Sequence, residues 1–273
     1  MQPKPHKIGY LSIILYANIV LKPLQMSREE KTRPFTANYL GKTIPVQIQR
    51  QLRKECFYGC AICGMPLLKY AHIAPYSRIQ ALLPENMIAL CPQHYYKYES
   101  GDLSESSLRE AKKDPHNKLQ PQDAFSVESQ DLTINIGKCK FINTHRILAV
   151  DDFDLITVTI ENEKYLLLDV NLFDRTNSLI ATISENSWVA GNIASWDIYY
   201  VPQKQLNIRN VQRNITFEMT IENTELYIDV LMYYNSYPIS ITRNEISLSG
   251  SEIGIELKNT VLKNYDIGIA AYT

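Results

Sequence analysis

The stretch CAICGMPLLKYAHIAPYSRIQALLPENMIALCPQH, residues 60–94, decides how the first part of this chain must be built. Two pairs of ligand-type residues bracket it, Cys60 with Cys63 and Cys91 with His94. Within each pair two residues intervene, and together they offer three thiolates and one imidazole. That is a tetrahedral donor set for a structural Zn²⁺. The segment between the pairs is short and interrupted by Pro66, Pro75 and Pro84. It cannot build a core of its own, so a metal cross-link can supply its folding energy. Buried free cysteines are the alternative, and two matched spacings argue against it. Cys56 and Cys139 lie outside the pattern and read as core or exposed thiols. Clustered cysteines fit a reducing compartment better than a disulfide framework, which gives a cytoplasmic expectation.

Working outward, PVQIQRQLRKE (45–55) reads as a helix with Pro in its first turn. Ile48 and Leu52 form an apolar edge, and Arg50, Arg53 and Lys54 a basic one. Short strands are expected near 67–73 and 87–90, a helix over 92–99, and a second helix over 104–113 with Ser104 as its cap and Pro115 as its stop. LQPQD (119–123) is a linker candidate. Beyond it the apolar period changes to two. In Asn214–Ile221, Ile215, Phe217, Met219 and Ile221 alternate with polar residues, and Leu226, Ile228 and Val230 repeat the pattern after a turn at Glu222–Thr224. Similar runs lie at 155–160, 165–173, 179–183, 197–201 and 253–257, punctuated by Asn, Asp and Ser. Trp188 and Trp196 read as core anchors, and Asp151, Asp152 and Asp154 as a turn.

The expected fold class is therefore α+β. It comprises a small zinc-stapled module over 43–118 and an antiparallel β-sandwich-like domain over 125–273. Residues 1–42 form a lead-in. Lys4 and Lys7 precede an apolar run, Ile8–Leu21, that is short for a membrane span, and no clear cleavage site follows. Residues 1–25 are read as an extension outside the functional fold, with a leader or anchor as the competing reading, and no membrane partner is expected.

Net charge is −1, which gives the whole chain no general affinity for polyanions. Its distribution is uneven. Residues 26–118 carry 14 Lys and Arg against 9 Asp and Glu, while residues 119–273 carry 11 against 20. A mildly basic part joined to an acidic one suits phosphate contact by the first part. Arg50, Arg53, Lys54, Lys69, Arg78 and Lys97 are the candidate nucleic-acid contacts. Tyr95, Tyr96 and Tyr98 are either a base-stacking group or packing for a short helix.

Between the ligand pairs, AHIAPYS (71–77) and PENMIALC (84–91) sit after the CxxC and before a His-containing helix. In this arrangement, over roughly Pro45–Asp114, the chain resembles the HNH endonuclease family. The resemblance implies a β-hairpin and helix around a divalent ion, with a His that activates water and an Asn that holds the geometry of that base. By position these are His72 and Asn86. The chemistry is coherent. Phosphodiester hydrolysis needs a base with a pKa near neutrality and a cation to stabilise the charge that builds on phosphorus. The chain departs from the family at two ligand positions. Ala71 stands where an acidic residue or His precedes the base, and Tyr95 stands where a His or Asn follows the second pair. Ala cannot bind a metal, and neutral Tyr binds hard cations weakly. Glu99, one helical turn on, is the candidate surviving ligand. The expected activity is DNA cleavage dependent on Mg²⁺ or Mn²⁺. The alternative is a catalytically degenerate relative that binds nucleic acid, or a protein partner through the acidic β domain, without cleaving.

Overall fold

The computed structural model describes residues 44–127, 131–248 and 260–272, and the backbone of Ser12 and Ile13. Ser12–Ile13 (β1) pairs antiparallel with the last strand, so two residues of the N-terminal apolar run join the sheet edge. The remainder of that run, the lead-in before Ile44, and the strand expected at 253–257 lie outside the described residues.

The N-terminal module opens with helix α1 (Val46–Glu55), which starts directly after Pro45. Strands β2 (Lys69–His72) and β3 (Met87–Leu90) form an antiparallel hairpin in the register Lys69–Leu90, Ala71–Ile88 and His72–Met87. The long connection between them contains the single turn α2 (Tyr76–Ile79). Helix α3 (Pro92–Glu99) follows β3 without a loop, and Cys91 is its cap. Then come α4 (Glu105–Lys113), capped by the Ser104 hydroxyl accepting from Ser107 N–H, and the short α5 (His116–Leu119). Helix α1 packs on β3, and α3 packs on both strands.

The remainder is strand-built. In chain order the strands are β4 (Thr133–Ile136), β5 (Cys139–Ile142), β6 (Arg146–Val150), β7 (Phe153–Glu161), β8 (Tyr165–Phe173), β9 (Leu179–Ser184), β10 (Ser187–Ala190), β11 (Asp197–Val201) and β12 (Gln205–Asn210). They continue as β13 (Ile215–Glu222), β14 (Glu225–Tyr234), β15 (Tyr237–Ile241), β16 (Ile246–Leu248), β17 (Val261–Lys263) and β18 (Ile267–Tyr272). Among the described residues these, with β1, form one hydrogen-bonded sheet. Most neighbours are antiparallel, as the alternating pattern implies. The pairs β4–β14, β5–β17 and β6–β18 are parallel, which the expectation of a purely antiparallel domain did not contain. The β13–β14 turn is the two-residue Asn223–Thr224, both at positive φ, a geometry whose twist suits a hairpin. Asn162, Asn177, Asn186, Asn214 and Asn235 hold the same left-handed conformation at other turns, where their short polar side chains tolerate it. The chain is thus mixed α+β with strands predominating.

The two parts are not separate. One continuous apolar core runs from Ile44, Leu52 and Ile88 of the module to Leu168, Ile183 and Trp188 of the sheet. Main-chain bonds cross the junction: Leu68 N–H donates to Asn186 O (2.8 Å) and Trp188 N–H to Leu68 O (2.7 Å). The Tyr70 and Ser187 hydroxyls lie 2.9 Å apart, and Tyr58 stacks on Tyr165 at 3.9 Å. The expected linker at 119–123 is tied down rather than free. His116 Nε2 bonds Asp123, the Tyr200 hydroxyl donates to Asp123 O, and Gln203 donates to Ala124 O. No helix among the described residues is long and apolar enough to cross a membrane.

Candidate metal centre and the groups around it

The four spaced residues converge. Cys60 and Cys63 lie in the turn after α1, Cys91 follows β3 as the cap of α3, and His94 sits in the first turn of α3. Their ligand atoms all fall within 4.8 Å of one another. A tetrahedral ion with sulfur at about 2.3 Å and nitrogen at about 2.0 Å requires S···S edges of about 3.8 Å and S···N edges of about 3.5 Å. Cys63 Sγ to Cys91 Sγ is 3.7 Å, Cys60 Sγ to His94 Nδ1 is 3.5 Å, and Cys91 Sγ to His94 Nδ1 is 3.2 Å. The set could hold a metal ion such as zinc.

Local backbone explains the convergence. Cys60 N–H donates to Met65 O (2.8 Å) and Gly64 N–H to Cys60 O (2.9 Å), which folds the CxxC into a closed knuckle. Gly64 has φ +76°, a conformation that a side chain would strain. Ala61 N–H donates to Ala89 O and pins the knuckle to β3, beside Cys91. The thiols respond to one another. Burial pushes Cys60 up, hydrogen bonds with Cys60 and Cys91 pull Cys63 down, and hydrogen bonds with Cys63 and Cys91 lift His94 to about 9. A cation bound among these groups would displace the thiol protons.

The remaining predicted site residues divide between the two faces of β2. Side chains alternate along β2, so Lys69 and Ala71 face one way and Tyr70 and His72 the other. On the first face Lys69 Nζ lies 4.4 Å over the ring of the buried Tyr95, and the charge of nearby Glu99 acts on it. Burial lowers the Lys69 pKa and Glu99 offsets part of that. Glu99 itself is exposed, and Ala71 is buried. Among the described residues no second group of three His, Cys, Asp or Glu ligands gathers. His72 is half-buried with its ring edge-on to Tyr76. Its Nε2 is buried and has no hydrogen-bond partner, and burial depresses its pKa. Asn86 braces the backbone two residues past His72. Asn86 Oδ1 accepts from Ala74 N–H (2.9 Å) and its Nδ2 donates to Ala74 O (3.0 Å), so both ends of the amide are spent on the backbone just past β2.

Most of the predicted phosphate contacts meet partners within the chain. Arg53 is 1% exposed, donates to Glu185 Oε2 (2.7 Å) and O (2.9 Å), and lies near Glu161. Arg50 forks onto both Glu185 oxygens, and Lys54 pairs with Glu161 at 3.1 Å. The basic edge of α1 therefore faces the acidic sheet, with Arg53 buried there and Lys54 still exposed at its rim. Arg78 pairs with Glu105, and Lys69 is committed to Tyr95. Lys97 is exposed, as is Tyr96 at 64%, while Tyr98 packs beside Tyr95. Asn117, Glu185 and Glu161 are the organising residues that the spacing arguments missed. No family model, curated protein or solved structure matches the chain.

Proposed function

We propose that residues 44–118 are a zinc-stapled, HNH-like module that binds without hydrolysing, and that its partner is a protein. Structural Zn²⁺ sits at Cys60, Cys63, Cys91 and His94. The observation that carries the loss of hydrolysis is the pair Lys69–Tyr95. Where the HNH pattern places two ion ligands, this chain has a buried methyl at Ala71 and a buried phenol capped by an ammonium. A fixed positive charge there opposes entry of Mg²⁺ or Mn²⁺ by simple Coulomb repulsion. Protein rather than nucleic acid is favoured because Arg50 and Arg53 are held by the buried Glu185, and Lys54 and Arg78 already pair with carboxylates that offset their pull on a phosphate backbone.

A second reading, metal-dependent DNA cleavage, is favoured by one observation. Burial pushes the His72 pKa down, and its Nε2 has no hydrogen-bond partner within the chain, which leaves that nitrogen for a general-base role. Plasmid nicking by the full chain in Mg²⁺, Mn²⁺ and EDTA, with zinc content measured alongside, separates the two. The expected result is a zinc-loaded protein that leaves plasmid intact and binds DNA only weakly at low salt. Cleavage that needs the added ion and vanishes in zinc-replete His72→Ala would replace the proposal with the nuclease reading.

A further inference from the structure

We infer that Asn117 is the positioning residue of the metal knuckle, an inference that rests on the zinc reading above. It lies on α5, far along the chain from the four ligands, and is 1% exposed. Its single amide nitrogen donates to Gly64 O (3.3 Å) and to Phe57 O (3.1 Å). Those carbonyls stand on either side of the Cys60–Cys63 pair. The fit is tight on both sides. A Cβ on Gly59 would come 2.3 Å from Asn117 Nδ2, and one on Gly64 would come 2.3 Å from its Oδ1. The two glycines are therefore the space into which Asn117 is wedged. The preceding residue adds a main-chain clip, His116 N–H to Ala61 O at 2.9 Å.

The chemistry selects this side chain. A primary amide carries two N–H donors on one nitrogen, one for each carbonyl, at a reach of one methylene. Ser offers a single donor, Asp offers none and would set a carboxylate against two carbonyl oxygens, and Gln is too long for the slot. Asn117 Oδ1 is buried with no hydrogen-bond partner, so the donating end is the one in use. The knuckle carries two ligands on a loop of irregular backbone, whose shape no helix or strand ladder fixes. Holding both of its flanks fixes the separation of Cys60 and Cys63 before an ion arrives, and a preformed site binds more tightly than one that must be ordered.

The test measures Zn²⁺ affinity of the full chain by competition with a chelator, and the visible absorption of the Co²⁺-loaded form. Asn117→Asp and the milder Asn117→Ala are compared with wild type and with Asn210→Ala, a buried asparagine of the sheet. Affinity is expected to fall by about 10–100-fold in Asn117→Asp, the usual effect of losing an outer partner of a metal ligand, with a smaller fall in Asn117→Ala. The Co²⁺ bands should broaden in both. Asn210→Ala should lower stability and leave affinity alone. Wild-type affinity in Asn117→Asp and Asn117→Ala would overturn the role of Asn117 while the zinc reading stands. A wild-type chain that takes up neither Zn²⁺ nor Co²⁺ would overturn both.

Discussion

The module over residues 44–118 and the sheet over 131–272 solve the folding problem in different currencies of information. The sheet is redundant. Leu206, Ile208, Phe217, Met219, Ile228 and Val230 repeat one apolar instruction along successive strands, and each is buried. Losing one leaves its neighbours to hold the register. The module is singular. Its strands are four residues long, its connections carry exposed Ile79 and Leu83, and beside its small apolar core its shape draws on a few chemically specific groups: the four candidate ligands, two glycines, Asn86 and Asn117. Regions of the first kind fail gradually, and regions of the second kind fail all at once.

Metal removal is expected to break this contrast most visibly. Chelation, or Cys60→Ser, should unfold the module and leave the sheet standing, because binding energy at such sites is folding energy. Limited proteolysis would show cuts confined to residues 44–118, whereas equal protection with and without chelator would sink the distinction. Next in size is the junction. Glu185→Ala leaves Arg53 buried without its main carboxylate and should cost about 3–5 kcal/mol, as does breaking other buried pairs. The double change Arg53→Met with Glu185→Leu should cost clearly less in denaturant melts, since the orphaned charge is gone. Phe217→Ala, in the redundant sheet, should cost about 3–5 kcal/mol from the cavity alone without changing metal affinity.

The smallest effect is a stabilisation. Asp229 faces Glu218 across β13 and β14, and its Oδ1 is buried without a partner. Burial first, and the Glu218 charge second, hold its carboxyl above the ordinary range, against a smaller opposing effect of Arg243. A raised folded-state pKa means that the folded chain prefers the protonated form. Its contribution is favourable below the unfolded pKa and is lost as pH rises through the folded one. Asp229→Asn should therefore raise the melting temperature at pH 7, with the gain disappearing near pH 3. A pH-independent difference would show that the charge is not its source.

Much of this architecture was legible in the residues. Met87–Leu90, Pro92–Glu99 and Tyr165–Phe173 lie where periodicity and Pro placed them, and the Asn-rich punctuation marks real turns. Ligand spacing was legible because a tetrahedral ion imposes fixed short separations within each pair. The junction was not. A basic helix edge looks the same in sequence whether it meets water, phosphate or Glu185, and the partner lies 132 positions away. Asn117 escaped notice for a related reason, since its meaning depends on two glycines that spacing rules do not connect to it.

The hairpin tip Glu185–Asn186–Ser187 closes onto Arg53, Leu68 and Tyr70, and this gives the molecule a schedule as well as a shape. Chains are synthesised at about 5–20 residues per second, so Arg53 precedes Glu185 by roughly 7–26 s. For most of that interval α1 lacks the sheet carboxylates its cations pair with, and the module lacks the surface it is built to lie against. His94 is made well before Glu185, so a metal held by the four spaced residues would already clamp the module in those seconds.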